Sequence, residues 1–192
     1  MASADRDLPT AVAAAVRESV AAVGVRRTTL TDVARLAGVS RMTLYRMVPD
    51  VETLLLTVLT HDFEALLADI ESATSRRRTA RARLVAVAVE TARRLPREPL
   101  FARILDVDPE LLLPYLTSRL GSTQRLALER IELAVEAGQA DRSIRRGDPT
   151  LIAIGVLTTV VPWVVSARVI DRLGRDDALD ELARGLDGWL RP

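Results

Sequence analysis

The stretch Thr29–Val48, TLTDVARLAGVSRMTLYRMV, constrains the fold more than any other part of the chain, because it reads as two short helices joined by a glycine turn. Thr29 followed by Asp32 fits a capping box, and Asp32 places negative charge in a first helical turn, where the helix dipole favours it. Val33, Ala34 and Ala37 then share one face at helical spacing, and the two alanines let a second helix approach closely. Gly38 falls where a left-handed residue is needed, Val39 can plug the corner, and Ser40 can cap the second helix. Leu44 faces back to the first helix, which leaves Arg41, Met42, Thr43, Tyr45 and Arg46 pointing away. This is the layout of a helix-turn-helix, whose second helix enters the DNA major groove.

The side chains left outside suit that groove. An early arginine such as Arg41 can pair with guanine O6 and N7, and Thr43 can touch a thymine methyl or a phosphate. Tyr45 can give its hydroxyl to a phosphate, and Arg26 and Arg27, just ahead of the motif, can reach the backbone too. With Thr29, Ser40, Met42 and Arg46 they make up the expected DNA-facing set. The competing reading of the same residues is a helical hairpin with a solvated face.

The segment TTLTDVARLAGVSRMTLYRMVPDVETLL resembles the signature of the TetR family of transcriptional regulators. The resemblance rests on Thr29 to Ala34, on Ala37 to Ser40 and on Thr43 to Tyr45, and it covers about Leu8 to Ile70. It implies a three-helix DNA-binding unit, a fourth connecting helix, and a C-terminal helical domain that binds a ligand and dimerises. Two departures stand out. Many members carry His-Phe or Tyr-Phe where this chain has Met47 and Val48, and many carry a phosphate-reaching lysine near the position of Val51, where this chain has none.

Composition bounds the rest. Apolar residues make up 48% of the 192 residues but aromatics only 3%, so a core of Leu, Val, Ala and Ile in packed helices is expected. The net charge of +1 gives no general argument for nucleic acid, and the first 50 residues, with seven arginines and five acidic residues, add little. All 27 basic residues are arginine, a usage expected of a GC-rich bacterial genome. Without cysteine there is no disulfide, cysteine metal site or thiol catalysis. The N-terminal MASADRDLPT is polar and acidic, unlike a signal peptide, so a cytoplasmic location is expected.

Apolar periodicity predicts an all-α chain of about nine helices; on these the resemblance implies a helix-turn-helix domain over 8–50, a connecting helix over 51–72, and a ligand-binding and dimerisation domain over 73–192. The first helix spans Pro9–Val23, with Val12, Val16, Val20 and Val23 as its stripe. Later helices are expected over Val51–Ser72, Thr79–Leu95 and Pro99–Leu105. A helix from Pro109 is expected to kink at Pro114 and Gly121 and to end at Gly138. Two last helices follow, Pro149–Ile170 and Asp177–Leu190. The arginine-dense run from Ser75 to Arg83 reads as a solvated loop and helix start. Pro149–Ala167 holds no charge over 19 residues, near the length of a membrane span. Pro162, its threonines and Arg168 favour instead a helix packed on its own domain and on a partner chain. In the resembling family the last two helices pair with their copies, which implies a homodimer and no membrane.

His61, the only histidine, has no partners at metal-ligand or acid–base spacing, so no metal, cofactor or catalytic residue is expected. A ligand pocket would draw on Phe63, Phe101, Leu105, Leu112, Tyr115, Leu116 and Trp163, with Arg119 or Tyr115 as polar anchor; such a site takes a lipophilic or amphipathic effector. The expected function is a dimeric regulator, a repressor released from a palindromic double-stranded operator by a small lipophilic ligand. The alternative is a helical small-molecule or protein-interaction module with weak or vestigial DNA binding. An all-helical enzyme finds no support in the residues present.

Overall fold

The computed structural model describes residues 8–192; the polar stretch before Leu8 lies outside them. Among the described residues there are helices and connecting turns but no strand. The described residues divide into two compact units, residues 8–62 with 99–113, and residues 63–98 with 114–192. The division differs from the expected one: residues 99–113 belong with the helix-turn-helix.

In the first unit α1 (Thr10–Val23), α2 (Leu30–Leu36), α3 (Arg41–Met47), the start of α4 (Val51–Thr74) and α6 (Pro99–Val107) enclose one core. Val12, Val16, Val20, Val33, Leu44, Leu54, Val58 and Ile104 meet there, all essentially inaccessible to solvent. Helices α2 and α3 have seven residues each, far fewer than the ~12–15 an isolated helix needs in water, so their caps and this core sustain them. Asp50 accepts the Thr53 N–H at 2.7 Å and opens α4 after Pro49. Arg17 on α1 forks onto Asp62 of α4, with Nε at 3.0 Å from Oδ2.

In the second unit α5 (Ala80–Arg94), α8 (Ser122–Ala140), α9 (Pro149–Val165), α10 (Ala167–Leu173) and α11 (Arg175–Leu190) pack together. The turn after α8 caps α5 from a distance. Asp141 accepts the Ala80 N–H at 2.8 Å, and the Ser143 hydroxyl accepts the Arg81 N–H at 3.1 Å. Two orphan donors of a helix start are thereby satisfied by residues about sixty positions away.

Three expectations are corrected. The helix from Pro109 is broken rather than kinked, into a 3-10 turn (Pro109–Leu112), α7 (Leu113–Thr117) and α8, because Pro114 and Gly121 each interrupt the hydrogen-bond ladder. Gly138 does not end α8 but lies buried inside it: a Cβ there would meet Ile144 Cδ1 at 2.4 Å, so the glycine makes room for the returning chain. The apolar run from Pro149 is two helices, bent by 71° at Ser166, four residues after Pro162, which has no N–H to give its rung of the helix. Among the described residues no single helix is long and apolar enough to cross a membrane, although α9 and α10 together pass that test by length and composition.

Replacing Gly138 by alanine is expected to lower the melting temperature. Helix propensity favours alanine by about 1 kcal/mol, but overpacking against Ile144, whose own Cβ is 3.0 Å from the new atom, costs about 1–3 kcal/mol. A rise in melting temperature would show that Ile144 moves aside freely. Acid is expected to loosen the second unit through Asp141. The Ala80 N–H, then the Ser143 side chain, hold its carboxyl below the ordinary carboxylate range. Because folding lowers this pKa, the stabilisation is complete above about pH 4 and fades as pH falls through the folded-state value. Thermal melts of Asp141→Asn should therefore show lower stability at neutral pH and a shallower fall below pH 4 than the parent.

Candidate DNA-binding interface

The local chemistry that builds α2 and α3 is the chemistry their sequence spells out. The Thr29 hydroxyl accepts the Asp32 N–H at 3.1 Å and donates to the Asp32 carboxylate at 2.6 Å. Gly38 has φ of +67°, and the Val39 N–H returns to the Ala34 carbonyl at 3.0 Å, closing α2 with a left-handed residue. Ser40 then opens α3: its Oγ accepts the Thr43 N–H at 3.0 Å and shares a hydrogen bond with the Thr43 hydroxyl at 2.8 Å. Val39 packs against the core at the corner.

One face of α3 is pinned and the other is free. Leu44 is fully buried, and Val48 just beyond the helix is buried beside it. Arg41, Met42, Thr43, Tyr45 and Arg46 are all exposed. Met47 is half-buried and packs against the core, so this departure from the family signature fills space rather than facing a groove. Val51, at the start of α4, does the same.

The turn that leads into α2 is built mostly from buried polar groups. Thr28 and Ser19 are buried; the Ser19 hydroxyl bonds Thr28 Oγ1 at 3.1 Å, and the Thr28 hydroxyl donates to the Gly24 carbonyl at 2.8 Å. The Val25 N–H donates to Asp108 Oδ2 at 2.9 Å. Asp108, just past the end of α6, is only 4% exposed. A hydrogen bond to such a charged acceptor has a net worth of about 1.5–3 kcal/mol. Arg26 reaches back over this site, with Nε 3.6 Å from Asp108 Oδ1 and a second contact to Glu110. Arg27 is exposed. Sequence reasoning did not single out Asp108, since an Asp-Pro pair signals only a helix stop and its partner lies 83 residues away.

The candidate ligand residues are divided between the units. Phe101, Leu105 and Leu112 belong to the first, all half-buried, and Leu112 packs on the core already described. Phe63, Tyr115, Leu116, Arg119 and Trp163 belong to the second. There Phe63 is buried, Trp163 half-buried on α9, and Leu116 exposed. The Arg119 guanidinium lies over the Tyr115 ring, 4.7 Å from its centre, and donates to its hydroxyl at 3.0 Å. Gly121 lets that ring come close, since a Cβ would sit 3.0 Å from it. His61 is exposed beside Asp62.

The fold and this helix pair have counterparts among known proteins. No protein-family model matches the chain. A helix-turn-helix-type transcriptional regulator of Mycobacterium bovis is 33% identical over 168 residues, covering 87% of this chain and 86% of the relative. Among solved structures, the transcriptional repressor QsdR of R. erythropolis, of the TetR family, superposes with a TM-score of 0.64 at 18% identity, covering 94% of this chain and 96% of that one. The regulator FadR of Bacillus subtilis, solved in complex with stearoyl-CoA, gives a TM-score of 0.63 at 17% identity, over 94% and 98% of the two chains. With the capped helix pair, the glycine turn and the free outer face of α3, these likenesses show that the chain belongs with the helix-turn-helix-type transcriptional regulators and shares the fold of the TetR-family repressor.

Proposed function

We propose that the protein is a dimeric repressor that reads a near-palindromic operator with two copies of α3 and is released when a small lipophilic or amphipathic molecule binds its second unit. The observation that carries the DNA reading is the outer face of α3. Met42 is 71% and Tyr45 54% exposed. Burying side chains of this size is worth roughly 1.5–3 kcal/mol each, and a face kept only for solvent has no use for them. Between Arg41, Thr43 and Arg46 they suit a groove lined with thymine methyls, base edges and phosphates.

A second copy of the chain is the partner that suits α9 and α11. Leu151, Ile154 and Thr158 lie exposed along one edge of α9, with Leu151 67% exposed. Trp189 of α11 lies across Gly155 on the same helix, so close that a Cβ would meet its ring at 2.4 Å, and it remains 42% exposed. Two recognition helices related by a two-fold axis read half-sites about 34–36 Å apart or a multiple of that. The stearoyl-CoA held by FadR supports a lipophilic effector. Phe63, Tyr115, Leu116, Arg119 and Trp163 supply the second unit with apolar surface and one cationic anchor. Any such ligand shifts DNA affinity only by as much as it prefers one conformation over the other. The protein would act in the bacterial cytoplasm, at its operator.

A mobility-shift titration with upstream DNA tests the first part. Arg41→Ala and Tyr45→Ala are each expected to weaken a sequence-specific complex by about ten- to a hundredfold, the range one good base contact carries. No specific shift, or variants that behave like the parent, would sink the reading. Sedimentation velocity tests the second: Ile154→Glu should convert the dimer to monomer, with loss of operator binding and little change in helix content.

A further inference from the structure

We propose that Asp108 is a positioning residue for operator recognition: its buried carboxylate fixes the turn 24–28 and so sets where Arg26, Arg27 and the first helix of the motif meet DNA. The inference rests on the DNA-binding reading above and adds a residue that touches no DNA itself.

Several independent features of the first unit converge on this carboxylate. It is the acceptor for the Val25 N–H, at 2.9 Å. It lies under Gly24, whose φ is +81° and whose missing Cβ would stand 3.2 Å from Asp108 Oδ2 and 3.3 Å from Val107 Cγ1. Any other residue there would be strained by its conformation and would crowd both side chains. Arg26 lies against the same carboxylate, and Glu110 holds its other end. Arg103, also on α6, donates to the Val20 carbonyl at 3.4 Å, near the end of α1. The end of α6 thus grips the chain at Val20, Gly24, Val25 and Arg26, immediately before the segment that enters α2.

Three other polar groups of the turn find partners close by in the sequence. Gly24 N–H bonds the Val20 carbonyl, Thr28 N–H bonds the Val25 carbonyl, and the Thr28 hydroxyl bonds the Gly24 carbonyl. Asp108 supplies the acceptor that Val25 lacks within its own segment. An unpaired buried N–H is costly, so removing the carboxylate makes the turn seek water or another carbonyl, and the arginines move with it. Sequence-specific binding depends on that placement. Non-specific binding depends mainly on how many phosphates are neutralised, and loss of one acidic side chain leaves that number the same or raises it.

The test compares affinities for two duplexes, one selected by the parent dimer from a random library and one scrambled to the same composition. Asp108→Ala is expected to weaken binding to the selected duplex by about tenfold, the ratio one charge-assisted hydrogen bond carries, while affinity for the scrambled duplex stays equal or rises. Asp108→Asn keeps an acceptor for the Val25 N–H and is expected to stay within about threefold of the parent on the selected duplex. Hydrogen exchange should show a faster Val25 amide in the alanine variant and a protected one in the asparagine variant. Helix content and melting are followed alongside; if Asp108→Ala does not fold, Asp108→Val, which likewise has no acceptor, carries the same expectations. Equal discrimination by parent and variant, or parallel loss of both affinities with loss of folded protein, overturns the inference. So does failure of both variants to fold, because Asp108 would then support the unit as a whole rather than aim the turn. A parent that selects no sequence overturns the DNA reading itself, and this inference with it.

Discussion

The fully buried side chain of Leu44 is the contact on which the DNA-facing surface depends. A helix as short as α3 forms because one face is sealed against α2 and the core of the first unit, not because its residues favour helix. Sealing that face presents the opposite one. Each exposed group on α3 inherits its direction from Leu44 and Val48, and the caps at Thr29 and Ser40 fix where the two helices begin. The core therefore does two jobs with one set of contacts: it stabilises the first unit, and it sets the angle at which Arg41, Thr43 and Tyr45 are displayed.

Electrostatics has a smaller share than the family membership suggests. The chain carries almost no net charge and no lysine. Several of its arginines are committed internally: Arg17 to Asp62, Arg26 to Asp108 and Glu110, Arg81 to Asp187, Arg93 to Glu90 and Asp176. Most of these pairs are partly exposed and individually worth little. They also mean that arginine count is a poor guide to DNA affinity here. What distinguishes the outer face of α3 is that its arginines stand beside exposed apolar and aromatic groups, a mixture that suits base edges and sugar as well as phosphate.

Much of the first unit was legible in the sequence because its determinants are local. Thr29, Asp32, Gly38, Ser40 and Leu44 act within a few residues of their partners, and each takes the place its type predicts. The features that escaped depend on distant partners. Gly138 carries the usual mark of a helix end, yet α8 runs two residues past it, and it is buried in the last turn because Ile144 folds back onto it. The break at Ser166 is hidden in an unbroken apolar run, where hydrophobicity reports burial and not direction. Asp108 is invisible until α6 is laid against the α1–α2 turn, and the grouping of α6 with the first unit could not be read from residues that all look like one long C-terminal domain. The ligand residues show the same limit: aromatic and leucine side chains declare that they will be inside something, not which of two interiors.

The turn 24–28 also limits how the chain can vary in length. Six residues separate α1 from α2, and the inner groups of that link, Gly24 N–H and C=O, Val25 N–H and C=O, and Thr28 N–H and hydroxyl, already have partners at fixed distances. An inserted or deleted residue would break several of these bonds at once and rotate α2 about its own axis relative to α1. The link behaves as a rigid gauge block between the two helices, so length variation is better borne in places such as the solvated run around Arg76–Arg78, where the backbone is held by local bonds: Arg77 N–H to the Thr74 carbonyl at 3.1 Å, and the Arg83 guanidinium to the Arg77 carbonyl at 3.2 Å.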